Sequence, residues 1–214
     1  MDQVIQEQIN KTLQELNQVK RPNERSRISK TPNGYIFLVA WSNASLLRVL
    51  NRKFTDSLPK SEHRLKAQAD DSCRSVVANI EEGFARQTTS EYINFLGYSR
   101  ASLIEEKGDI QRSLQDGFLK SVPGSSLKSL GIDLTGWHEI LSKSVTFKGN
   151  YRNVEEYMGK IKVSGLTYEI FIELINKTDW NIRKLVESLE AKLNRDQKFY
   201  QVEKMRTYEK FKRK

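Results

Sequence analysis

The stretch that decides the fold runs from Ser75 to Glu91 and reads SVVANIEEGFARQTTSE. A helical pattern of apolar and small residues leads into Gly83, and a glycine can close a helix in a left-handed cap without steric cost. A short polar turn follows. Thr88 and Glu91 then have the spacing of a capping box, in which the two residues satisfy each other's backbone donors at a helix start. The sequence therefore predicts a helical hairpin.

The composition of the chain favours long, solvated helices around a slender core. Of its 214 residues, 37% are hydrophobic and 29% are charged, and the mean hydropathy is -0.63. Four prolines, at positions 22, 32, 59 and 123, leave long stretches free of the residue that breaks helices most strongly. A chain of this length can form one domain of ordinary size with appendages, and we expect it to be mostly α-helical.

Apolar side chains recur at helical spacing in four long segments and in one amphipathic segment at the N-terminus. The long helices are predicted at residues 35–54, 61–83, 89–118 and 164–194, and the amphipathic helix at residues 2–20. We therefore predict an all-α fold, an up-down four-helix bundle. It carries an added N-terminal amphipathic helix, an insertion between helices three and four, and a basic C-terminal extension.

The predicted division of the chain follows these segments. Residues 1–33 hold the amphipathic helix and a basic linker, and the linker is either a flexible connection or an arm that binds nucleic acid. Residues 34–194 form the bundle. Its insertion, 120–163, is rich in glycine, and we expect it to pack on the bundle because a structureless connection of this length is unusual. A short helix is predicted at 137–143, and residues 195–214 form a basic, aromatic tail.

The charge balance of the chain indicates a polyanionic partner. Lys and Arg total 36 against 27 Asp and Glu, which gives a formal charge of +9 and a pI near 9.5. Such a balance favours nucleic-acid binding through counterion release, and its alternative is an ordinary solvated basic surface. A single cysteine, Cys73, excludes an intramolecular disulfide. No segment is apolar enough for a signal peptide or a membrane span, so we expect a cytoplasmic protein without membrane contact.

The sequence offers no residues for catalysis, a metal or a cofactor. It contains no Gly-rich phosphate loop, nucleophile elbow or zinc-binding helix motif. His63 and His138 lack the Glu-x-x-His spacing of helical di-metal sites. Cys73 lies on the stripe of the second helix, where a small buried thiol is expected. We therefore predict a protein that is not an enzyme.

Acidic pairs on the second and third helices raise the question of a metal or acid–base site. They are Glu81 and Glu82, and Glu105 and Glu106 with Asp109 nearby. Nothing in the sequence completes such a site, and basic residues lie close to each group along the chain. We therefore expect ion pairing or solvation at the helix surface.

Nine basic residues on the predicted helices or at their ends are the candidate nucleic-acid contacts. They form three groups along the chain, namely Arg48, Arg52 and Lys53; Arg64, Lys66 and Arg74; and Arg86, Arg100 and Arg112. Each residue alone is typical of a solvated charge. Repeated by symmetry in an oligomer, the groups can form a continuous positive surface that holds phosphate backbones without reading bases.

The hairpin resembles the four-helix-bundle family of rRNA intervening-sequence proteins. The residues that carry the resemblance are SVVANIEEGFAR at 75–86, TSEYINFL at 89–96 and SRASLIEE at 99–106. The typical family pattern has Ser where this chain has Ala78, and Ala where it has Glu81. The resemblance covers about residues 34–119, and the later part of the chain looks like the longer family members that carry a suffix domain.

Relatives of that family include the accessory variability determinant proteins of diversity-generating retroelements. They form homopentamers, bind nucleic acid through a basic surface and associate with a reverse transcriptase, and the family has no established enzymatic activity. The resemblance thus implies a homo-oligomeric accessory protein, a pentamer by analogy, that binds RNA or DNA phosphates and partners a reverse transcriptase. The alternative is a protein-interaction scaffold that binds an acidic protein, with the first helix and the aromatic tail as docking elements.

Overall fold

The computed structural model describes residues 31–146 and 152–212. These residues form six α-helices and no β-strand, which confirms the all-α prediction. We number the helices α1 (Val39–Thr55), α2 (His63–Ala85), α3 (Thr89–Gln115), α4 (Leu134–Thr146), α5 (Arg152–Gly159) and α6 (Tyr168–Lys212). The amphipathic helix predicted at 2–20 and most of the basic linker lie outside the described residues.

The chain divides into two compact units. Of the described residues, 31–190 belong to one unit and 191–212 to the other. Helices α1 to α5 and the part of α6 up to Glu190 belong to the first unit. The division predicted from the sequence, with boundaries at 33 and 194, stays a prediction.

Helix α2 runs antiparallel to both α1 and α3. Between α1 and α2, the Trp41 indole donates to Glu81 Oε1 at 2.7 Å, and further along the Thr55 hydroxyl donates to Asp70 Oδ1 at 2.8 Å. Between α2 and α3, the Ser99 hydroxyl donates to the Val76 carbonyl at 2.8 Å. The predicted hairpin is therefore present, and α1 packs against its first arm.

The hairpin turn differs from its prediction at Gly83 and agrees with it at Thr88. Helix α2 continues to Ala85, so Gly83 is not its cap. A Cβ atom on Gly83 would lie 2.7 Å from Cβ of Phe95 and 2.8 Å from Cδ2 of Tyr92, so the glycine permits close packing of α3. The capping box is confirmed, because Glu91 N donates to Thr88 Oγ1 at 3.2 Å and Thr88 N donates to Glu91 Oε2 at 3.3 Å.

The glycine-rich segment after α3 packs on the helices, as expected. The Trp137 side chain on α4 is completely buried, and its indole donates to the Ser42 carbonyl of α1 at 2.7 Å. The backbone N–H of Leu127 donates to Glu173 Oε2 on α6 at 2.7 Å. The short helix predicted at 137–143 is the longer α4, and α5 was not predicted.

Helix α6 is longer than the sequence pattern indicated. The first turns of α6 carry the buried side chains Ile170, Phe171 and Leu174. The centre of the Phe171 ring lies 5.9 Å from the centre of the Phe54 ring of α1. The predicted end at Asn194 is wrong, since α6 continues to Lys212. Residues 195–212 of the basic C-terminal extension are thus the last part of this helix, and they contain no glycine or proline that would interrupt it.

The buried side chains of the described residues form one apolar cluster to which all four long helices contribute. Leu47 of α1, Val76 of α2, Leu103 of α3 and Ile170 of α6 belong to it. No described helix is both long and apolar enough to cross a membrane.

Candidate nucleic-acid interface

The structure brings four of the nine predicted contacts together. Helix α1 contributes Arg48, Arg52 and Lys53, and α2 contributes Arg74, to a groove of about 330 Å³ that we call the α1–α2 groove. Arg48 and Arg52 are four residues apart, as are Val49 and Lys53, so these side chains share one side of α1. The first predicted group and one member of the second therefore share one surface.

Three carboxylates also line the α1–α2 groove, namely Asp56, Asp70 and Asp71. Arg52 lies 3.8 Å from Asp56 and 3.7 Å from Asp70, and Arg74 lies 3.5 Å from Asp71. These pairs leave the groove with four cations against three anions, so its net charge is only weakly positive.

Arg48 and Lys53 differ from the other two cations of the groove. Neither forms an ion pair with any residue that the structure describes, and Arg48 is exposed. A phosphate that enters the groove therefore meets these two side chains without displacing a carboxylate. Arg52 and Arg74 have to exchange one anionic partner for another.

Asp70 organises the floor of the groove. It accepts hydrogen bonds from the Thr55 hydroxyl at 2.8 Å and the Asn51 amide at 3.4 Å, and its other oxygen lies 3.4 Å from the Lys66 ammonium group. Lys66 also binds Asp56. The hydrogen bond to Asp56 raises the pKa of Lys66, burial lowers it by a smaller amount, and the charge of Asp70 raises it further. Lys66 is thus a cation that holds two groove carboxylates in place.

Four other predicted contacts lie outside the groove. Arg64 is exposed on α2, and no described residue forms an ion pair with it. Arg86 follows α2, where it lies 4.2 Å from the centre of the Phe95 ring and 3.8 Å from Glu82. On α3, the Arg100 guanidinium donates to Asp179 of α6 at 2.8 Å. Arg112 is the fourth, and it forms an ion pair with Asp109 on the same helix.

Two acidic residues of α3 are buried, which corrects the expectation of a solvated helix surface for them. Glu106 is 0% exposed and Asp109 is 1% exposed. The expectation of ion pairing holds for Asp109, whose Oδ1 lies 2.5 Å from the Arg112 guanidinium. Burial raises the pKa of Glu106 to about 7, hydrogen bonds from Ser72 and Cys73 oppose the rise, and the charges of Asp109 and Asp70 add to it.

The cysteine and one histidine considered as nucleophile or metal ligand have ordinary packing and hydrogen-bonding environments. Cys73 is buried, as predicted, and burial raises the pKa of its thiol well above the usual value. His138 Nδ1 lies 3.0 Å from the Ser42 hydroxyl. Among residues 31–146 and 152–212, no three His, Cys, Asp or Glu side chains are arranged to hold a metal ion.

The sequence prediction missed the aspartates of the groove. Their signal was present, because Lys66 and Asp70 are four residues apart and Asp71 and Arg74 are three apart on one helix. The contacts of Asp70 with α1 had no such signal, since they depend on how α1 packs against α2.

Comparison with protein families gives a match over this part of the chain. The family described as 23S rRNA-intervening sequence protein matches residues 37–134, which is a little under half of the chain. The matched range contains α1, α2 and α3, and so the whole α1–α2 groove. This agrees with the resemblance of residues 75–106. Neither the curated proteins nor the solved structures give a match.

Proposed function

We propose that this chain is a non-catalytic RNA-binding protein related to the 23S rRNA-intervening-sequence family, and that it holds the phosphate backbone in the α1–α2 groove. The observation that carries the proposal is the convergence of Arg48, Arg52, Lys53 and Arg74 in one groove within the matched residues. The family description supports an RNA-related role. The formal charge of +9 supports an anionic partner.

The groove suits backbone contacts better than base readout. Arg48 and Lys53 provide the first contacts, since no described carboxylate pairs with them. The planar guanidinium groups of Arg52 and Arg74 can bind phosphate with two parallel hydrogen bonds once they exchange their aspartate partners. Binding of this kind releases counterions and carries no sequence information by itself.

A salt titration tests this mechanism. RNA and DNA of equal length are bound by the full chain at several salt concentrations, and the logarithm of the binding constant is plotted against that of the salt concentration. We expect a negative slope of about 0.7 to 0.9 for each phosphate neutralised. Absence of binding at low salt, or an affinity that does not change with salt, refutes the mechanism.

We also propose that α1, α2, α3 and α6 form an up-down four-helix bundle. The antiparallel contacts of α1 with α2 and of α2 with α3 support it. The Phe54–Phe171 contact supports it as well, since the end of α1 meets the beginning of α6.

The assembly proposed for this bundle is a homo-oligomer that partners a reverse transcriptase. It is supported by the sequence resemblance to retroelement accessory proteins, in which symmetry would multiply the weak charge of one groove. The absolute mass of the protein in solution tests the oligomer. Co-purification with a reverse transcriptase encoded nearby tests the partner.

A scaffold for an acidic protein is the second candidate function. Exposed apolar side chains on α6, Val202 and Met205, favour it, because they lie beside the exposed cation Arg206. Pull-down with and without nuclease separates the two functions. Partners that are fully retained after nuclease treatment support the scaffold, and partners lost with the nucleic acid support RNA binding.

A further inference from the structure

A second pocket lies on the other side of α1, apart from the residues of the α1–α2 groove. It has a volume of about 360 Å³ and lies between the start of α1, the start of α4 and the first third of α6. We call it the Asn43–Trp180 pocket. Its apolar walls are Val39, Leu134 and the indole of Trp180, and Asn43, Lys177 and Asn181 are among its polar groups.

The exposed indole is the first unusual feature of this pocket. Trp180 is 53% exposed, whereas Trp41 and Trp137, the other two tryptophans of the chain, are 5% and 0% exposed. The Lys184 ammonium group lies 5.9 Å from the centre of the Trp180 ring. An exposed aromatic ring beside a cation is the arrangement on which single-stranded nucleic acids stack their bases.

The second feature is a buried amide without a partner. Asn43 lines the pocket although its side chain is only 1% exposed, so it forms part of the inner wall. Neither its Oδ1 nor its Nδ2 atom has a hydrogen-bond partner among the described residues. Buried amides are normally paired, so an open donor and an open acceptor in one plane point to a ligand that supplies both.

The charge of the lining residues separates this pocket from the groove. Three aspartates line the groove, but no carboxylate is among the residues that line the Asn43–Trp180 pocket. Its single cation, Lys177, is paired with Glu173 at 2.6 Å, and the Asn181 amide donates to the Lys177 carbonyl at 2.8 Å. The pocket is therefore nearly neutral, polar at its inner wall and aromatic at its rim.

We infer that the Asn43–Trp180 pocket binds an unpaired base of single-stranded RNA, an inference that rests on the proposed RNA-binding function. The base stacks on Trp180, and movement of side chains at the inner wall lets its edge pair with the Asn43 amide, whose two polar atoms are buried in the structure. Adenine fits best, because an asparagine amide matches its adjacent donor and acceptor. An apolar peptide side chain fits less well, since it would leave both amide atoms unpaired.

Fluorescence provides a direct test, because Trp180 is the exposed tryptophan of the three. The full-length protein is titrated with a short single-stranded oligoadenylate and with duplex RNA of the same length, at fixed salt. Stacking is expected to quench the tryptophan emission with the single strand and to leave it unchanged with the duplex. Trp180→Ala should weaken single-strand binding by about 5- to 100-fold, and Trp180→Phe should retain most of the affinity.

Asn43→Leu separates a ligand contact from a structural role. The change removes two unpaired polar atoms, so the stability of the protein should stay equal or rise. Affinity for oligoadenylate should nevertheless fall, while affinity for duplex RNA and the salt dependence of binding stay as in the wild type. A loss of both stability and all RNA affinity in this variant contradicts the inference.

The outcomes for the pocket and the groove are distinguishable. If the wild-type protein binds no RNA at low salt, the proposed function fails, and this inference fails with it. If it binds RNA with the expected salt dependence but Trp180→Ala keeps its single-strand affinity, only the base-binding inference is overturned.

Discussion

The hydroxyl of Ser72 on α2 and Oε2 of Glu106 on α3 are joined by a hydrogen bond of 2.6 Å, and the two residues are 4% and 0% exposed. Ser72 Oγ also lies 3.0 Å from the Ala69 carbonyl oxygen. A hydroxyl has one proton, so Ser72 can donate to both acceptors only in turn. A protonated Glu106 removes the conflict by donating to Ser72 Oγ, which leaves the Ser72 proton for Ala69.

This arrangement predicts that stability falls as pH rises from about 4.5 to about 7. The pKa of Glu106 rises from 4.5 to about 7 on folding, so its contribution is fully present below pH 4.5 and is lost as pH rises through the folded value. The loss amounts to about 3 kcal/mol. Denaturant unfolding at pH 5 and pH 8 measures most of this loss, and Glu106→Gln should remove it, so that the stability of the variant changes less between the two pH values than that of the wild type.

Glu105→Gln is the matched control, because Glu105 is the exposed neighbour on the same helix. It should keep the pH dependence of the wild type. Equal pH dependence in the wild type and in Glu106→Gln contradicts the assignment of the proton to Glu106.

Two glycine substitutions in the hairpin should have effects of opposite sign. Gly83→Ala places a Cβ 2.7 Å from Phe95 Cβ, and overpacking of this kind costs about 1 to 3 kcal/mol. Gly97→Ala on α3 meets no atom within 4 Å, so it should stabilise by about 0.5 to 1 kcal/mol through helix propensity. Thermal and denaturant unfolding measure both. If Gly83→Ala is as stable as Gly97→Ala, the close approach of α3 to α2 at the turn is wrong.

Asp70→Asn should trade stability for RNA affinity. The change loses the charge that holds Arg52 and Lys66, which lie 3.7 and 3.4 Å from Asp70, and it weakens the hydrogen bond from Thr55, so unfolding should become easier by about 1 to 2 kcal/mol. The groove gains one unit of positive charge, and affinity for RNA should rise roughly 2- to 5-fold.

Asp116→Asn is the control for net charge, since Asp116 is exposed beyond the end of α3 and is not in the groove. It should change affinity less than Asp70→Asn. An equal gain in both variants would show that the overall charge of the protein, rather than the groove, governs binding.

Local patterns predicted the hairpin well, because its signals lie within a few residues of one another. The Thr88–Glu91 capping box spans four residues and is confirmed. Gly83 was misinterpreted, since its purpose depends on Phe95, which approaches only after the hairpin closes. The end of α6 lies beyond its predicted position because a run of charges is typical of a solvated tail, although nothing in residues 195–212 breaks a helix.

The candidate site was predicted in its residue types more than in its arrangement. Charge counting identified Arg48, Arg52, Lys53 and Arg74, but their assembly into one groove depends on the antiparallel packing of α1 and α2. Burial of Glu106 could not be read from the sequence, because an acidic side chain is normally placed at the surface. The exposure of Trp180 could not be predicted from the sequence either, because an aromatic residue in a helix is normally expected in the core.

The measurement that tests the central claim most directly compares two charge-matched double variants in the same salt titration with RNA. Arg48→Gln with Lys53→Gln removes the two groove cations that no described carboxylate pairs with. Lys128→Gln with Lys162→Gln removes two exposed cations outside the groove. The groove variant should weaken binding by about ten-fold and reduce the salt slope by about 1 to 2, and the control should bind as the wild type does. Equal affinities and equal slopes for the two double variants would contradict the claim that the α1–α2 groove holds the phosphate backbone.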